Sequence, residues 1–278
     1  MRTIAHISDV HFGKEDPPMV EALIESIHEV SPHVIVVSGD LTQRAKKKQF
    51  KAARVFLDHL NKRVPAAVQI VVPGNHDISA TNLMERVASP LRRYRRYITR
   101  DLTPCHLDAE LAIAGINTVR LLAAKDGRMN RAQMVKACEQ LGKAAEHALR
   151  VVVTHHPMDL PAEDRRHALV GRSAMAMRGF AACGVDLFLS GHLHTGTTIS
   201  TSARYRIEGH SAIVAQAGTA VSTRTRGEVN GWNLIHTNGS AVGATLDVQQ
   251  MNWSGKRFAP STCERYVKGT AGWSMERA

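Results

Sequence analysis

Seven side chains able to hold a metal ion arrive in a set order along this 278-residue chain. They are Asp9 and His11 in SDVH, Asp40 in SGDL, Asn75 in PGNHD, His155 in THHP, and His192 and His194 in GHLH. Mixed oxygen and imidazole donors suit divalent transition metals. Two such ions about 3.5–4 Å apart can clamp phosphoryl oxygens and activate a water, so the chemistry in view is hydrolysis of a phosphoric ester. Taken singly, an Asp or a His is most often a cap, a turn residue or a satisfied core group. Five motifs in one chain outweigh that reading for these seven residues.

Each motif closes an apolar run, at residues 4–7, 34–37, 68–72, 151–153 and 185–189. Between the first three, Met19, Leu23 and Ile27 recur four apart, and residues 46–61 carry Phe50, Ala53, Phe56, Leu57 and Leu60 as a helical stripe. Strand alternating with helix predicts crossover units and a mostly parallel sheet. In such sheets the carboxyl ends of the strands face one crevice, which would bring all seven ligands to one rim. A helix is expected over 130–148. Beyond residue 195, short runs at 197–201, 213–217, 233–236 and 241–248 predict a second, more antiparallel sheet packed on the first. The tail lacks strong periodicity and is expected to wrap the surface. Without repeats or low-complexity linkers, the chain reads as one domain over 1–278, with a core of about 1–250 and a tail at 251–278.

A hydrophobic content of 44% is enough to bury a core and excludes a disordered chain. Cys105, Cys138, Cys183 and Cys263 form no CxxC pair and read as free thiols in a reducing compartment. With no apolar leader and no run of membrane-spanning length, a cytoplasmic location is expected. The net charge of +11 favours anionic partners without choosing among phosphorylated small molecules, nucleic acid and membrane surfaces.

The order D-x-H, G-D, G-N-H-D, H-H and G-H-x-H resembles the calcineurin-like metallophosphoesterase superfamily, and the likeness runs from Asp9 to His194. It implies an α/β fold, a four-layer α/β-β/α sandwich of two mixed sheets flanked by helices. It also implies two divalent metal ions, with Mn, Fe or Zn as candidates. Asp9, His11 and His194 would hold the first and Asn75, His155 and His192 the second, with Asp40 bridging them. A hydroxide shared by the ions would be the nucleophile, and His76 the general acid or transition-state stabiliser. Asp77 either orients His76 or caps the next turn. His6 reads as buried structure, and His156 as support for the turn before Pro157.

Compact length and the GDLTQ and GHLH forms are most similar to the bacterial branch that includes cyclic-nucleotide phosphodiesterases. Leu41-Thr42-Gln43-Arg44 departs from the GDxxDR form of the protein phosphatases. The leading expectation is therefore a phosphodiesterase acting on a small nucleotide-like diester. The alternatives are a UDP-diacylglucosamine-type pyrophosphohydrolase at a membrane surface, a DNA nuclease, and a metal-free scaffold of the same fold.

Three basic features stand outside the ligand set. Arg44 follows Asp40 by four residues and is a candidate phosphate contact, although an exposed residue leading into Lys46-Lys47-Lys48 is the favoured reading. In segment 92–97, Arg92, Arg93, Arg95 and Arg96 interleave with Tyr94 and Tyr97, a candidate peripheral membrane contact, with a solvated face favoured over it. Nucleic acid is the less favoured partner. The loop 217–228, with Arg224 and Arg226, is either a flexible rim that touches substrate or a polar hairpin.

Overall fold

The first apolar run forms β1 (Arg2–Ile7) and the second forms β2 (Val34–Val37), paired in parallel with Ala5 opposite Ile35 and His6 opposite Val36. Neither run alternates, because both faces are covered. Ala5, Ile7, Ile35 and Val37 pack beneath α1 (Pro17–Val30) and α2 (Lys47–Arg63), whose Leu23, Ile27, Phe50 and Leu57 complete that layer. Ile4, Val34 and Val36 point the other way, into a core shared with a second sheet. The Asp16 side chain caps α1 by accepting the Met19 N–H at 3.2 Å, and proline opens the first turn.

This computed structural model describes residues 1–79, 88–123, 125–164, 166–225 and 227–276. The first sheet continues on one side of β2 with β3 (Val68–Val71) and on the far side of β1 with β10 (Gly231–Thr237), β11 (Thr245–Trp253), β12 (Phe258–Gly269) and β13 (Gly272–Met275). The second sheet has the order β4 (Cys105–Leu107), β5 (Leu111–Gly115), β6 (Leu149–Val153), β7 (Leu187–Ser190), β9 (Ile213–Gln216), β8 (Thr197–Ser200). Its four inner strands are parallel, and β4 and β8 are antiparallel edges. On its outer face lie α4 (Arg131–Leu141) and α5 (Ser173–Ala182), with Ala137, Leu141, Met177 and Phe180 buried there. Two mixed sheets flanked by helices, the expected architecture, are what the chain forms.

Several expectations are corrected. The four short runs after residue 195 do not make one sheet: β8 and β9 extend the parallel second sheet, whereas β10 and β11 extend the first. Strand propensity says nothing about which open edge a strand will find, and β10 finds β1, with Ile235 opposite Ile4. The tail forms β12 and β13 rather than a wrapping coil. Its periodicity was hidden because Phe258 and Tyr266 are the only fully buried side chains of β12. Trp273 and Lys268 tie this hairpin to the second sheet through Asp186 Oδ1, at 2.8 and 2.6 Å. Cys138 and Cys183 are joined as a disulfide between α4 and the end of α5, so two of the four expected thiols are paired, while Cys105 and Cys263 are exposed and free.

The basic segment forms α3 (Arg92–Tyr97), and its aromatic residues turn inward. Tyr94 is buried and donates its hydroxyl to the Val71 carbonyl at 3.1 Å, and Tyr97 stacks on Phe50. Arg93 donates to the Ala45 carbonyl at 2.9 Å, leaving Arg92, Arg95 and Arg96 exposed. Among the described residues no helix is long and apolar enough to cross a membrane.

His6 lies wholly buried between the sheets, its Nε2 2.9 Å from Ser38 Oγ. Burial pushes its pKa down to about 3, against the opposing pull of Asp9. The folded state therefore holds His6 neutral, while the unfolded chain binds a proton below its ordinary value of about 6.5. Stability from this group is complete above that value and is lost as pH falls from 6.5 toward 3, by up to about 1.4 kcal/mol per pH unit. Urea denaturation between pH 7 and 4 should show a shallower decline in His6→Gln than in the parent; identical slopes would refute the assignment.

Candidate metal centre

The loops after β1, β2, β3, β6 and β7 meet at one end of the two sheets, and the seven candidate ligands meet with them. Asp9 Oδ1 lies 3.5 Å from His11 Nε2 and 3.4 Å from His194 Nε2, and those two nitrogens are 3.4 Å apart. Beside this trio, Asn75 Oδ1 is 3.0 Å from both His155 Nε2 and His192 Nδ1. Asp40 stands between the groups: its Oδ1 is 3.4 Å from His155 Nε2 and its Oδ2 is 3.7 Å from His11 Nε2. Except for Asn75 and His192, these ligands are almost completely withdrawn from solvent.

Holding them there requires unusual backbone. Asp9, His11, Asp40, His192 and His194 all have positive φ, at 52°, 47°, 51°, 75° and 67°. Among the described residues only three other non-glycine positions do. Each such residue costs of order 1–3 kcal/mol and persists only where its surroundings over-determine it. The restraint is visible: His192 N–H donates to Asp9 Oδ2 at 2.9 Å, His76 N–H donates to Asp40 Oδ1 at 2.8 Å, and His11 N–H donates to the Asp40 carbonyl at 3.0 Å. Each carboxylate is thus fixed by an amide from another motif. Gly74 and Gly191 allow the approach, since a Cβ at Gly74 would sit 2.2 Å from Asp40 N and Oδ1, and one at Gly191 would sit 1.9 Å from Ser8 Oγ.

The imidazoles are oriented through their second nitrogens. His155 donates Nδ1–H to the Ser38 carbonyl at 2.8 Å, and His194 donates Nδ1–H to the Arg224 carbonyl at 2.8 Å. A carbonyl can only accept, so Nδ1 carries the proton in both rings and Nε2 is the atom that would be offered to a metal ion, the arrangement usual for metal-ligating histidine. Burial opposes ionisation of Asp9 and Asp40, yet the surrounding histidines hold both carboxyls below the usual carboxylate range.

His76 adjoins the cluster, its ring centroid 4.9 Å from that of His11. Its Nδ1–H donates to the Gln43 carbonyl at 2.8 Å, and burial holds its pKa below the ordinary histidine value. Asp77 is buried and does not orient that ring. Its carboxylate accepts from Thr42 N and Oγ1, Leu41 N and Gly74 N, at 2.9–3.2 Å, so it staples the SGDL loop to the PGNHD loop. Burial, with Asp40 nearby, pushes its pKa up to about 6.

These donors fit divalent ions. Two donors about 2.1 Å from one ion lie about 3.0–3.4 Å apart at octahedral to tetrahedral angles. The distances within the Asp9–His11–His194 and Asn75–His155–His192 sets fall near that range. Asp9 Oδ1, which faces His11 Nε2 and His194 Nε2, is buried and makes no hydrogen bond. Two carboxylates, Asp9 and Asp40, and His155, with donor atoms within 4.8 Å of one another and shielded from solvent, make an arrangement that a cation stabilises.

A cleft of about 350 Å³ opens over the cluster, lined by Asp40, Asn75, His76, His192, His194 and Arg224 and, on its outer wall, by Lys125, Asp126, His167 and Ala168. Arg44 is not on this lining: its side chain is exposed, and its backbone N–H donates to Gln49 Oε1 at 3.0 Å. Arg224 does line the cleft, with Nη1 2.8 Å from His76 Nε2. Arg226 lies outside the described residues. His156 does more than support a turn. Its ring sits 5.0 and 4.8 Å from those of His155 and His192, with the three donor atoms mutually within 4.8 Å, while Nδ1 lies 2.7 Å from Thr118 Oγ1. Its direct adjacency to His155 was the available signal; for Lys125 and His167 there was none.

The fold and this convergence of ligands define a metal-dependent phosphoric ester hydrolase. The profile of the calcineurin-like phosphoesterases matches residues 2–196, more than half of the chain, and the protein belongs to that family. A comparison with curated proteins gave no match. Solved structures share the fold at low identity. A dimetal phosphatase from Danio rerio is 12% identical, with a TM-score of 0.61 over 94% of this chain and 98% of that one. The purple acid phosphatase PPD1 from yellow lupin seeds is 10% identical, with a TM-score of 0.59 over 94% of this chain but only 53% of the lupin enzyme. Vacuolar protein sorting 29 from Cryptosporidium parvum is also 10% identical, with a TM-score of 0.52 over 96% of this chain and 98% of that one.

The close approach at Gly74 gives a direct test. Gly74→Ala should lower stability by about 2–3 kcal/mol and displace Asp40, with weakened retention of metal measured by elemental analysis after gel filtration. Gly218→Ala, whose added Cβ would meet nothing closer than 3.5 Å, should stay within about 0.5 kcal/mol of the parent. Normal metal content in Gly74→Ala would contradict this account.

Proposed function

We propose that the chain is a two-metal phosphodiesterase for small, nucleotide-like diesters. The observation that carries this reading is the position of Asp40 between two donor sets, with His76 and Arg224 on the open side of the same cleft. Asp9, His11 and His194 would hold one ion, Asn75, His155 and His192 the other, and Asp40 both. When bound, such a pair supplies Lewis-acid charge to phosphoryl oxygens and lowers the pKa of water.

The remaining chemistry belongs to the chain. Asn75 contributes a neutral oxygen and limits the build-up of negative charge. His76 reaches the cleft through Nε2, the atom placed to meet a leaving oxygen, while the Gln43 carbonyl holds the ring by Nδ1. A cleft of about 350 Å³ suits a small molecule. Leu193 and Ala168 offer it an apolar surface for the ester's organic group, and Leu41-Thr42-Gln43-Arg44 lacks the protein-phosphatase form.

Two alternatives are weakened. A lipid-linked pyrophosphate would draw on interfacial aromatics, but Tyr94 and Tyr97 pack inward. A metal-free scaffold would have no use for five ligands held in left-handed backbone.

Metal-stripped protein restored with Mn²⁺ should cleave bis-p-nitrophenyl phosphate faster than p-nitrophenyl phosphate; the reverse preference would identify a phosphomonoesterase. His76→Ala should keep both metals and lose about 10²–10⁴-fold in turnover. Asp40→Ala should lose both metals and all turnover. Full activity with stoichiometric metal in Asp40→Ala would rule out the bridged site.

A further inference from the structure

The connection between β9 and β10 brings Arg224 to the cleft by a route that no ligand motif uses. It is firmly anchored. Ala220 N–H donates to the Ser8 carbonyl at 3.1 Å, Asp16 N–H to the Val221 carbonyl at 2.9 Å, and Thr223 N–H to the Lys14 carbonyl at 2.9 Å. Asn230 Nδ2 donates to the Ser222 carbonyl at 2.9 Å, and Ala220, Val221 and Ser222 are fully buried. The Arg224 carbonyl in turn accepts His194 Nδ1–H at 2.8 Å. Main chain supporting a ligand candidate and side chain entering the cleft thus belong to one residue. From Ala220 to Arg224 the connection is a strut braced by the first motif and its flank.

The guanidinium has a weak partner in this arrangement. Because His76 Nδ1–H is committed to the Gln43 carbonyl, His76 Nε2 offers a lone pair, into which Arg224 Nη1 donates at 2.8 Å. Among the described residues no carboxylate forms an ion pair with Arg224. A neutral imidazole is a modest acceptor, whereas phosphoryl oxygens carry charge and match the guanidinium fork, with hydrogen bonds roughly twice as strong. An anion placed over Asn75 and His192 would lie in the same cleft and compete for that donor.

We propose that Arg224 is a substrate-binding residue that leaves His76 Nε2 for a phosphoryl oxygen when substrate enters. The exchange would anchor the phosphoryl group and free Nε2 to face the leaving oxygen. The proposal rests on the phosphohydrolase reading and is indifferent to diester or monoester preference.

Inorganic phosphate is the probe, used on the full chain loaded with Mn²⁺. In Arg224→Ala the phosphate inhibition constant should rise at least about tenfold and kcat/KM fall by about 10²-fold, with metal content unchanged. Added guanidinium ion should restore part of the activity, and Arg224→Lys should not, since an ammonium lacks the fork. A role only in propping His76 would lower kcat and leave phosphate inhibition unchanged, which would overturn the proposal. So would an equal loss of phosphate affinity in Arg95→Ala on α3, because the attraction would then come from overall charge. If the parent turned over no ester, the phosphohydrolase reading would be what failed. Calorimetric titration of phosphate into Mn²⁺-loaded parent and Arg224→Ala would still decide, equal affinities counting against Arg224.

Discussion

Two carboxylates buried beside each other set the terms for the rest of this molecule. Asp9 and Asp40 have almost no solvent contact, and ionised groups in that position are unfavourable by several kcal/mol each unless opposed charge or hydrogen bonds compensate. Compensation comes from three directions. The amides of His192 and His76 take one oxygen of each carboxylate, imidazoles surround the others, and the donor spacing invites cations. Deleting one carboxylate would therefore leave the facing groups unbalanced, which makes the cluster a single unit and not a sum of seven contacts.

That unit depends on rigid surroundings. Left-handed backbone at Asp9, His11, Asp40, His192 and His194 holds only because the strands before these turns cannot shift. β1 and β2 are packed on both faces, against α1 and α2 on one side and the inter-sheet core on the other. Asp77 staples the turn after β2 to the turn after β3 from beneath. The strain at the site is thus balanced by burial of ordinary apolar residues such as Ile7, Val36 and Leu189 in the strands that carry the motifs.

How much of this could be read in advance follows from how local each determinant is. β2, β3, β7 and their motifs were legible because apolar run, glycine-containing turn and ligand are contiguous in the chain. Partition of β8 to β11 between two sheets was not, since it depends on which edge remains open after the parallel strands have paired. The C-terminal hairpin was obscured by its exposed side chains, and the Cys138–Cys183 link by a separation of 45 residues across two helices. At the site, Arg44 attracted notice by its closeness to Asp40 in sequence, yet the turn sends it outward. Arg224 lies 30 residues beyond His194 and returns only because hydrogen bonds from Ala220 and Thr223 pin its loop to the first motif.

The same distinction divides the cleft into two parts. One part is made of motif residues, Asp40, Asn75, His192 and His194, with His76 beside them. The other is Lys125, Asp126, His167 and Ala168, drawn from the connection between β5 and α4 and from the stretch beyond the THHP turn that leads into α5. Lys125 and Asp126 put a cation and an anion next to each other on that part of the lining. The motif part is thus fixed by turns that the sheets hold rigid, whereas Lys125, Asp126, His167 and Ala168 stand outside the ligand motifs, on connections of the kind whose composition varies most readily.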